Sequence, residues 1–240
     1  MKALILNSGL GKRMGELTRN KPKCLVGLGS RDTILDRQIR ALRGKGIQDI
    51  VITTGPFPGQ IKEHLGKNYP GVNFIYIHNP LYKSTNYIYS MFLAGDTIDK
   101  EVILMHGDLV FEESLLERLL EESPANSVLV NKRAELPHKD FKARVKGGRV
   151  REISVDISSR DCFMLMPLYR LEMGFWQRWL EEIKAFKEAG QLKVYAEEAL
   201  NKILGEEDLY PYYFDRELCQ EIDDTEDLER VKKALEAQEA

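Results

Sequence analysis

The stretch ALILNSGLGKRM, residues 3–14, joins a short apolar run to a glycine-rich loop that carries two adjacent cations. The apolar run predicts a buried strand, and the glycines allow the backbone to approach a ligand closely. Successive backbone N–H groups in such a loop form a concave anion site. The stretch therefore predicts a phosphate-binding loop at the end of a strand, although an ordinary strand-to-helix turn would also use glycines here.

Similar apolar runs recur along the chain and indicate the fold class. They lie at residues 50–53, 74–77, 102–105 and 127–130, and helical patterns lie between them at residues 33–43, 60–67, 87–94 and 114–121. This alternation predicts an α/β fold with a doubly wound, mostly parallel sheet. Ligands bind beyond the carboxyl ends of the strands in such sheets, which is where Asn7 and the segment His106 to Asp108 fall.

The later part of the chain differs in pattern. Lys142 to Ile153 alternates around KGGR at residues 146–149, which predicts a hairpin. Strands are expected at residues 162–169 and 210–214, and helices at 175–187, 195–204 and from Thr225 onward. We therefore predict a single domain over residues 1–240, with a core over about 1–135 and a small β/helical element with a C-terminal helix over about 136–240.

Composition narrows the classes of protein. The 240 residues are 43% hydrophobic and 30% charged with a formal charge of −3, so the chain lacks the basic field that duplex nucleic acid requires. Cys24, Cys162 and Cys219 lie far apart, which favours buried thiols over disulfides or zinc. No apolar run approaches the length of a membrane span. We expect a cytoplasmic protein with no nucleic-acid or membrane partner, and the sequence is compatible with a homo-oligomer.

Two well-known glycine loops fit the sequence poorly. A dinucleotide fingerprint needs a third glycine where Met14 stands and an acidic residue after the next strand, where this chain has Thr53, Thr54 and Gly55. A P-loop needs four residues between its glycines and a Ser or Thr after its lysine. Hydride transfer and P-loop ATPase or kinase activity are therefore disfavoured.

A longer pattern identifies the loop more specifically. Residues 9–14 fit G-x-G-x-R-M, and residues 18–25 fit T-x-x-x-P-K-x-L. Together they resemble the nucleotidyltransferase family that activates sugar phosphates and related acceptors, which has a Rossmann-like fold. The resemblance implies that residues 1–135 bind nucleotide and that residues 136–240 bind the acceptor. Asn7 and Ser8 depart from the two alanines common in the family, so we expect altered nucleobase contacts.

Three further segments are similar to the phosphocholine and 2-aminoethylphosphonate cytidylyltransferases of bacteria. They are residues 84–90 before a helix, residues 195–198 opening another, and Glu221-Ile222-Asp223 with Asp227 four residues on. The resemblance implies CTP as the nucleotide, which no single residue indicates by itself. Asn86 fits either a polar contact to a ligand or a helix cap.

The resemblance also implies roles for individual residues. Asp108 and Asp223 would hold Mg²⁺, and Lys23, Arg13 and Asp108 would be the catalytic residues. The nucleotide would contact Asn7, Ser8, Gly9, Leu10, Gly11, Lys12, Arg13, Lys23 and Asn86. Asp108 follows a predicted buried strand, as a carboxylate ligand of magnesium should, but it fits a turn as well. Asp223 competes with Asp224 for the second ligand, and either could cap the last helix.

The predicted reaction is in-line attack of an acceptor oxygen on the α-phosphorus of the nucleotide, with pyrophosphate leaving. The acceptor oxygen is already ionised, so the protein mainly positions two anions and neutralises their charge. Neither the H-x-G-H motif of other cytidylyltransferases, where this chain has Leu109, nor a G-x-S-x-G hydrolase motif is present.

The acceptor is predicted to carry an amine, which calls for aromatic and acidic side chains. A quaternary ammonium prefers an aromatic cage, whereas a primary ammonium needs carboxylates or carbonyls. We assign acceptor binding to Tyr87, Tyr195, Glu197 and Glu198; other aromatic candidates, including Trp176 and Trp179, are more typical of core positions. The alternatives are a sugar-1-phosphate or polyol-phosphate nucleotidyltransferase and, from another class, a non-catalytic nucleotide sensor.

Overall fold

The predicted alternation of strands and helices is present in the computed structural model, which describes residues 1–29, 32–133, 135–136 and 139–239. The elements in chain order are β1 (Lys2–Asn7), α1 (Ile34–Gly44), β2 (Asp49–Thr54), α2 (Pro58–Asn68), β3 (Asn73–His78), α3 (Tyr87–Ala94), β4 (Val102–His106), β5 (Leu109–Phe111), α4 (Glu113–Glu121), β6 (Ser127–Asn131), β7 (Lys142–Lys146), β8 (Arg149–Ser154), β9 (Cys162–Leu171), α5 (Met173–Glu188), α6 (Ala196–Leu200), β10 (Tyr210–Phe214), β11 (Cys219–Glu221) and α7 (Thr225–Glu239). Short 3₁₀ turns at Lys12–Thr18 and Lys23–Leu25 follow β1.

One large sheet organises the chain. Its strands lie in the order β10-β6-β9-β4-β1-β2-β3, and β7 and β8 extend it from β9. The pairs β1–β2, β1–β4, β2–β3 and β6–β10 are parallel, whereas β9 is antiparallel to both β4 and β6. The predicted doubly wound, mostly parallel sheet is confirmed.

Alternate residues of each central strand pack on opposite faces of this sheet. Ala3 and Ile5 of β1 face the cluster that includes residues of α1, α2 and α4. Leu4 and Leu6 face the opposite cluster, to which α3, α5 and α6 contribute. Because burying one Leu or Ile side chain contributes roughly 1.5–3 kcal/mol, the strands that carry the loops are anchored from both sides.

A second, two-stranded sheet was not predicted. Strand β5 pairs antiparallel with β11, and Glu221 lies opposite Leu109. Both strands are only three residues long, so neither shows a recognisable alternation. The pairing matters for function because it brings residues 219–223 next to Asp108, whose carbonyl oxygen accepts a hydrogen bond from Ile222 N at 3.0 Å.

The other predicted helices and strands are present with shifted boundaries. The predicted helix at residues 195–204 is helical only over Ala196–Leu200, and turns follow it. The three cysteines are free and buried, as predicted. The later part is not separate from the core sheet, since β9 pairs with β4 and β10 with β6; the functional division near residue 135 stays a prediction. None of the helices in the described ranges is long and apolar enough to cross a membrane.

Candidate active site

The turn that carries Asp108 is fixed by its neighbours. It connects β4 to β5, and Gly107 N donates to Leu6 O of β1 at 3.0 Å. The fully buried Gln38 side chain on α1 donates from Nε2 to the carbonyl oxygens of His106 at 2.9 Å and Leu109 at 2.8 Å. Backbone contacts and a buried amide therefore hold the Asp108 carboxylate at the carboxyl end of the sheet.

Lys23 lies between two carboxylates at this edge. Its Nζ atom is 2.6 Å from Asp108 Oδ2 and 3.2 Å from Asp223 Oδ1. Arg13 Nη2 lies 2.8 Å from the same Asp223 oxygen. The cluster formed by Lys23, Asp108, Asp223 and Arg13 draws its members from distant segments, since Lys23 and Asp223 are 200 residues apart in the chain, and its two positive and two negative charges balance.

The same contacts shift the ionisation of these groups. Burial lowers the pKa of Lys23, but its ion pairs with Asp108 and Asp223 outweigh burial and raise it. Burial raises the pKa of Asp108, while Lys23 and His106 lower it, and the net change is downward. For His106 burial lowers the pKa, yet the hydrogen bond and charge of Glu221 help to raise it to about 9. Near neutral pH, Lys23 and His106 are thus protonated and Asp108 is ionised.

The glycine loop bends toward Lys23. Gly11 has a φ of 62°, in the left-handed region that favours glycine, and a Cβ there would lie 3.2 Å from Lys23 Cβ. Thr18 Oγ1 donates to Gly11 O at 2.8 Å and fixes the bend. The loop and the cluster therefore form one continuous surface.

These residues enclose a cavity of about 340 Å³, which we call the main cavity. Its described lining residues are Gly9, Gly11, Lys12, Arg13, Lys23, Asn86, Tyr87, His106, Asp108, Lys139, Asp140, Phe141, Val155, Tyr195, Glu221 and Asp223. The lining combines glycine backbone and cationic side chains with aromatic rings and carboxylates. Such a lining suits a ligand that is strongly anionic at one end.

A smaller space of about 140 Å³ adjoins it, which we call the side pocket. Its described lining residues are Leu6, Ser8, Gly9, Asn79, Tyr82, Thr85, Asn86, Tyr87, His106 and Asp108. Asn86 lines both spaces and also caps α3, since its Oδ1 accepts from Tyr87 N at 2.7 Å. Capping is thus observed, and ligand contact by Asn86 stays a prediction.

Most of the predicted site residues converge here, but several do not reach the main cavity. Leu10 is not among the described lining residues of either space, and Asn7 packs against the turn at Gly107. Glu197 is buried and accepts hydrogen bonds from the hydroxyls of Tyr87 and Tyr169, while Glu198 is exposed. The structure therefore gives no support to direct acceptor contact by Glu197 or Glu198; Glu197 is a buried partner of two tyrosines instead.

Aromatic rings of the main cavity cluster together and form an aromatic wall. Phe141 and Tyr195 have ring centroids 4.9 Å apart, Tyr87 lies 6.1 Å from Tyr195, and the His106 ring lies 4.7 Å from Tyr87. Phe141 and the carboxylates Asp140 and Glu221 were not assigned to the site from the sequence, because they come from loops and from the unpredicted β11. Trp176 and Trp179 are fully buried in the core.

The carboxylates fit a divalent cation. Asp108 Oδ1 is buried and lacks a hydrogen-bond partner among the described residues. Carboxylate oxygens of Asp108 and Glu221 lie within 4.8 Å of one another beside the protonated His106, and Asp223 is joined to Asp108 through Lys23. Asp224 instead accepts from the backbone N–H groups of Glu226 and Asp227 at the start of α7, which is the capping role left open by the sequence.

Known proteins are similar to this chain in sequence and in fold. The family model described as nucleotidyl transferase matches residues 2–139. CMP-5'-(3-aminopropyl)phosphonate synthase of Streptomyces rubellomurinus is 35% identical over 132 residues, which is 55% of this chain and 21% of that protein. CTP:phosphoglutamine cytidylyltransferase of Campylobacter jejuni is 29% identical over 138 residues, 55% of this chain and 53% of that protein. The chain thus spans about half or less of the length of these relatives.

A solved structure extends the likeness to nearly the whole chain. CTP:phosphocholine cytidylyltransferase from Streptococcus pneumoniae matches with a TM-score of 0.78 and 23% identity, covering 98% of each chain. At this level of identity the match shows a shared fold.

The close approach at Gly107 yields a prediction about stability. A Cβ at this position would lie 1.8 Å from Asn7 Oδ1 and 2.7 Å from Leu6 O, so Gly107→Ala must displace the turn. We expect the free energy of unfolding to fall by about 1–3 kcal/mol, measured by urea denaturation.

Gly9→Ala is the matched control, since it is the same change in the same site. A Cβ at Gly9 has nothing within 4 Å, so its stability should stay within about 0.5 kcal/mol of the parent. Equal stabilities for the two variants would show that the turn is not constrained as described.

Proposed function

The chain belongs to the nucleotidyl transferase family, and on that premise we propose that it transfers CMP from CTP to a small amine-bearing phosphonate or phosphate, with release of pyrophosphate. The acceptors that we propose are 2-aminoethylphosphonate and phosphocholine. The observation that carries this proposal is the cluster of Lys23, Arg13, Asp108 and Asp223 beside the glycine loop. We propose the cytoplasm as its location, where thiols such as the three buried cysteines stay reduced.

We assign Mg²⁺ to Asp108 and Asp223. The unpartnered oxygen of Asp108 and the hard carboxylate donors suit this ion, which usually takes one or two carboxylates together with substrate phosphates. When bound, the ion supplies positive charge that lowers the repulsion between phosphate groups. Glu221 also lies close to Asp108, but its carboxylate is paired with the protonated His106 at 2.8 Å.

The residues of the chain have three tasks in the proposed reaction. Backbone N–H groups of residues 9–13 cradle the triphosphate, as a bend of glycine amides can. Lys23 and Arg13 leave their carboxylates and pair with phosphate oxygens, which neutralises charge that grows on the leaving pyrophosphate. An acceptor oxygen then forms a bond to the α-phosphorus while the bond from that phosphorus to the bridging oxygen breaks. No side-chain nucleophile is required.

The aromatic wall supports an amine-bearing acceptor. Tyr87, Phe141 and Tyr195 present ring surfaces to the main cavity, and Glu221 and Asp140 add carboxylates to its lining. Rings attract a cationic head by cation–π interaction, and carboxylates pair with a primary ammonium. The named relatives, which carry an aminopropylphosphonate, a phosphoglutamine and a phosphocholine in their names, fit this class of acceptor.

The proposal predicts a defined substrate profile. Pyrophosphate release should be fastest with CTP and either 2-aminoethylphosphonate or phosphocholine, compared with UTP, dTTP, ATP and GTP and with hexose 1-phosphates. Asp108→Asn should reduce the rate by at least about a hundredfold, because it removes the carboxylate charge from the metal site. Faster turnover of a hexose 1-phosphate would favour a sugar-nucleotide enzyme, and no release with any pair would favour a nucleotide sensor.

The ion pairs of Lys23 predict a less obvious effect on metal binding. Lys23 occupies the carboxylates that the metal needs, so Lys23→Ala should bind Mn²⁺, a spectroscopic substitute for Mg²⁺, roughly tenfold more tightly when no nucleotide is present. The same variant should bind CTP roughly tenfold more weakly, because a charged phosphate contact is lost. Electron paramagnetic resonance of free Mn²⁺ and calorimetry of CTP measure the two affinities.

Lys21→Ala removes the same charge two residues away and is the control. No ion pair joins Lys21 to these carboxylates among the described residues, so its Mn²⁺ affinity should change less than about twofold. Weaker Mn²⁺ binding by Lys23→Ala than by the parent would contradict the assignment of Asp108 and Asp223.

A further inference from the structure

We infer that the Ser8 hydroxyl selects cytosine over uracil by donating a hydrogen bond to N3 of the base, with its proton directed by a buried chain through Ser90 and Asn79. The inference rests on the proposed function, because it takes a pyrimidine triphosphate as the ligand. It goes beyond that function by naming the residue that discriminates between two nucleotides of equal charge and nearly equal size.

The side pocket adjoins the main cavity. It shares Gly9, Asn86, Tyr87, His106 and Asp108 with the main cavity, so the two spaces are continuous at the start of the glycine loop. A triphosphate held on the loop can thus extend its nucleoside into the side pocket. The volume of about 140 Å³ is large enough for a pyrimidine ring.

One wall of the side pocket is polar. Ser8 is 6% exposed, Asn79 is 1% exposed, and Ser90 behind them is fully buried. Ser8 Oγ lies 2.6 Å from Ser90 Oγ, and Asn79 Nδ2 lies 2.9 Å from Ser90 Oγ. Ser8 is the member of the pair of serines that lines the side pocket, so its hydroxyl is the end of the chain that a ligand meets.

The Asn79 amide fixes the direction of the protons in the hydrogen-bonded chain. Leu81 N donates to Asn79 Oδ1 at 2.8 Å, which fixes the amide so that Nδ2 faces Ser90. Ser90 Oγ therefore accepts from Asn79, and its own single proton must go elsewhere. Ser8 and Asn79 are the hydrogen-bond partners of Ser90 Oγ in the described part of the chain, so a proton that did not point to Ser8 would be buried without an acceptor.

The free-energy cost of a buried Ser90 proton without an acceptor decides in which direction Ser90 donates. A buried donor without a partner is expensive, whereas donation from Ser90 to Ser8 satisfies every group behind the pocket wall. Asn79 then donates to Ser90, Ser90 donates to Ser8, and the proton of Ser8 is left to donate into the side pocket. The Ser8 hydroxyl thus presents a hydrogen-bond donor to the side pocket.

Cytosine and uracil differ in their hydrogen-bonding groups. Cytosine has two adjacent acceptors, N3 and O2, whereas uracil carries a proton on N3. A donor directed at N3 makes a hydrogen bond with cytosine but meets a second donor in uracil, where only O2 is left as an acceptor on this edge. Gly55 packs closely against Ser8, since a Cβ there would lie 2.2 Å from Ser8 O, and this limits movement of the Ser8 backbone toward Gly55.

The test is equilibrium binding of CTP and UTP, measured by calorimetry without acceptor, in the full chain. Ser8→Ala should weaken CTP binding by about fivefold to tenfold and leave UTP binding unchanged or slightly stronger, so that the CTP:UTP affinity ratio falls. Ser90→Ala should lower the ratio less, because Ser8 keeps its proton but loses its direction. Ser84→Ala is the matched control, since Ser84 lies in the same segment, is exposed and does not line the side pocket.

The outcomes separate this inference from the proposed function. A parent protein that prefers CTP, with an unchanged or increased CTP:UTP ratio in Ser8→Ala, would overturn the role of Ser8 alone. A parent that prefers a purine nucleotide would contradict the proposed function as well. Thermal unfolding of each variant confirms that it is folded, and if Ser8→Ala is not, an unchanged ratio in Ser90→Ala would overturn the inference.

Discussion

A lysine held between two carboxylates is the interaction on which the site depends. Lys23 is mostly buried, and its charge would be costly there without Asp108 and Asp223. The same is true of Asp108, which would otherwise be a buried anion with an unpaired oxygen. The arrangement is neutral in total, so it is stable by itself, yet each of its charges is also what a metal–triphosphate complex needs. Binding can then exchange partners without creating net charge in the cavity.

The fold provides for this exchange by bringing distant segments to one edge. Strand β4 delivers Asp108, the turn after β1 delivers Lys23, and the short pair β5–β11 delivers Asp223. Gln38 and Gly107 fix the turn at Asp108 in place, so in the exchange that we propose the carboxylate changes partner while the backbone stays where it is. The side pocket continues from this edge, which allows the base and the phosphates of one nucleotide to be read by adjacent segments of β1 and its loop.

The sequence predicts the central sheet because long apolar runs alternate with helical patterns, and it predicts Lys23 and Asp108 because they stand in a specific motif and at a strand end. It does not reveal β5 and β11, whose three residues each carry no periodic signal. For this reason Glu221 was quoted but not given a role, and Asp223 could not be separated from Asp224. Phe141 and Asp140 lie before a hairpin in a segment with no motif. The contact of Ser8 with Ser90 joins residues 82 positions apart, and no local pattern encodes it.

The most direct test of this account is the anomalous scattering of Mn²⁺ in crystals grown with a non-reactive CTP analogue. We predict a metal peak in contact with the carboxylates of Asp108 and Asp223, with Lys23 Nζ moved from these carboxylates to a phosphate oxygen. A metal bound elsewhere, or Lys23 still paired with both carboxylates while the nucleotide is in place, would contradict it.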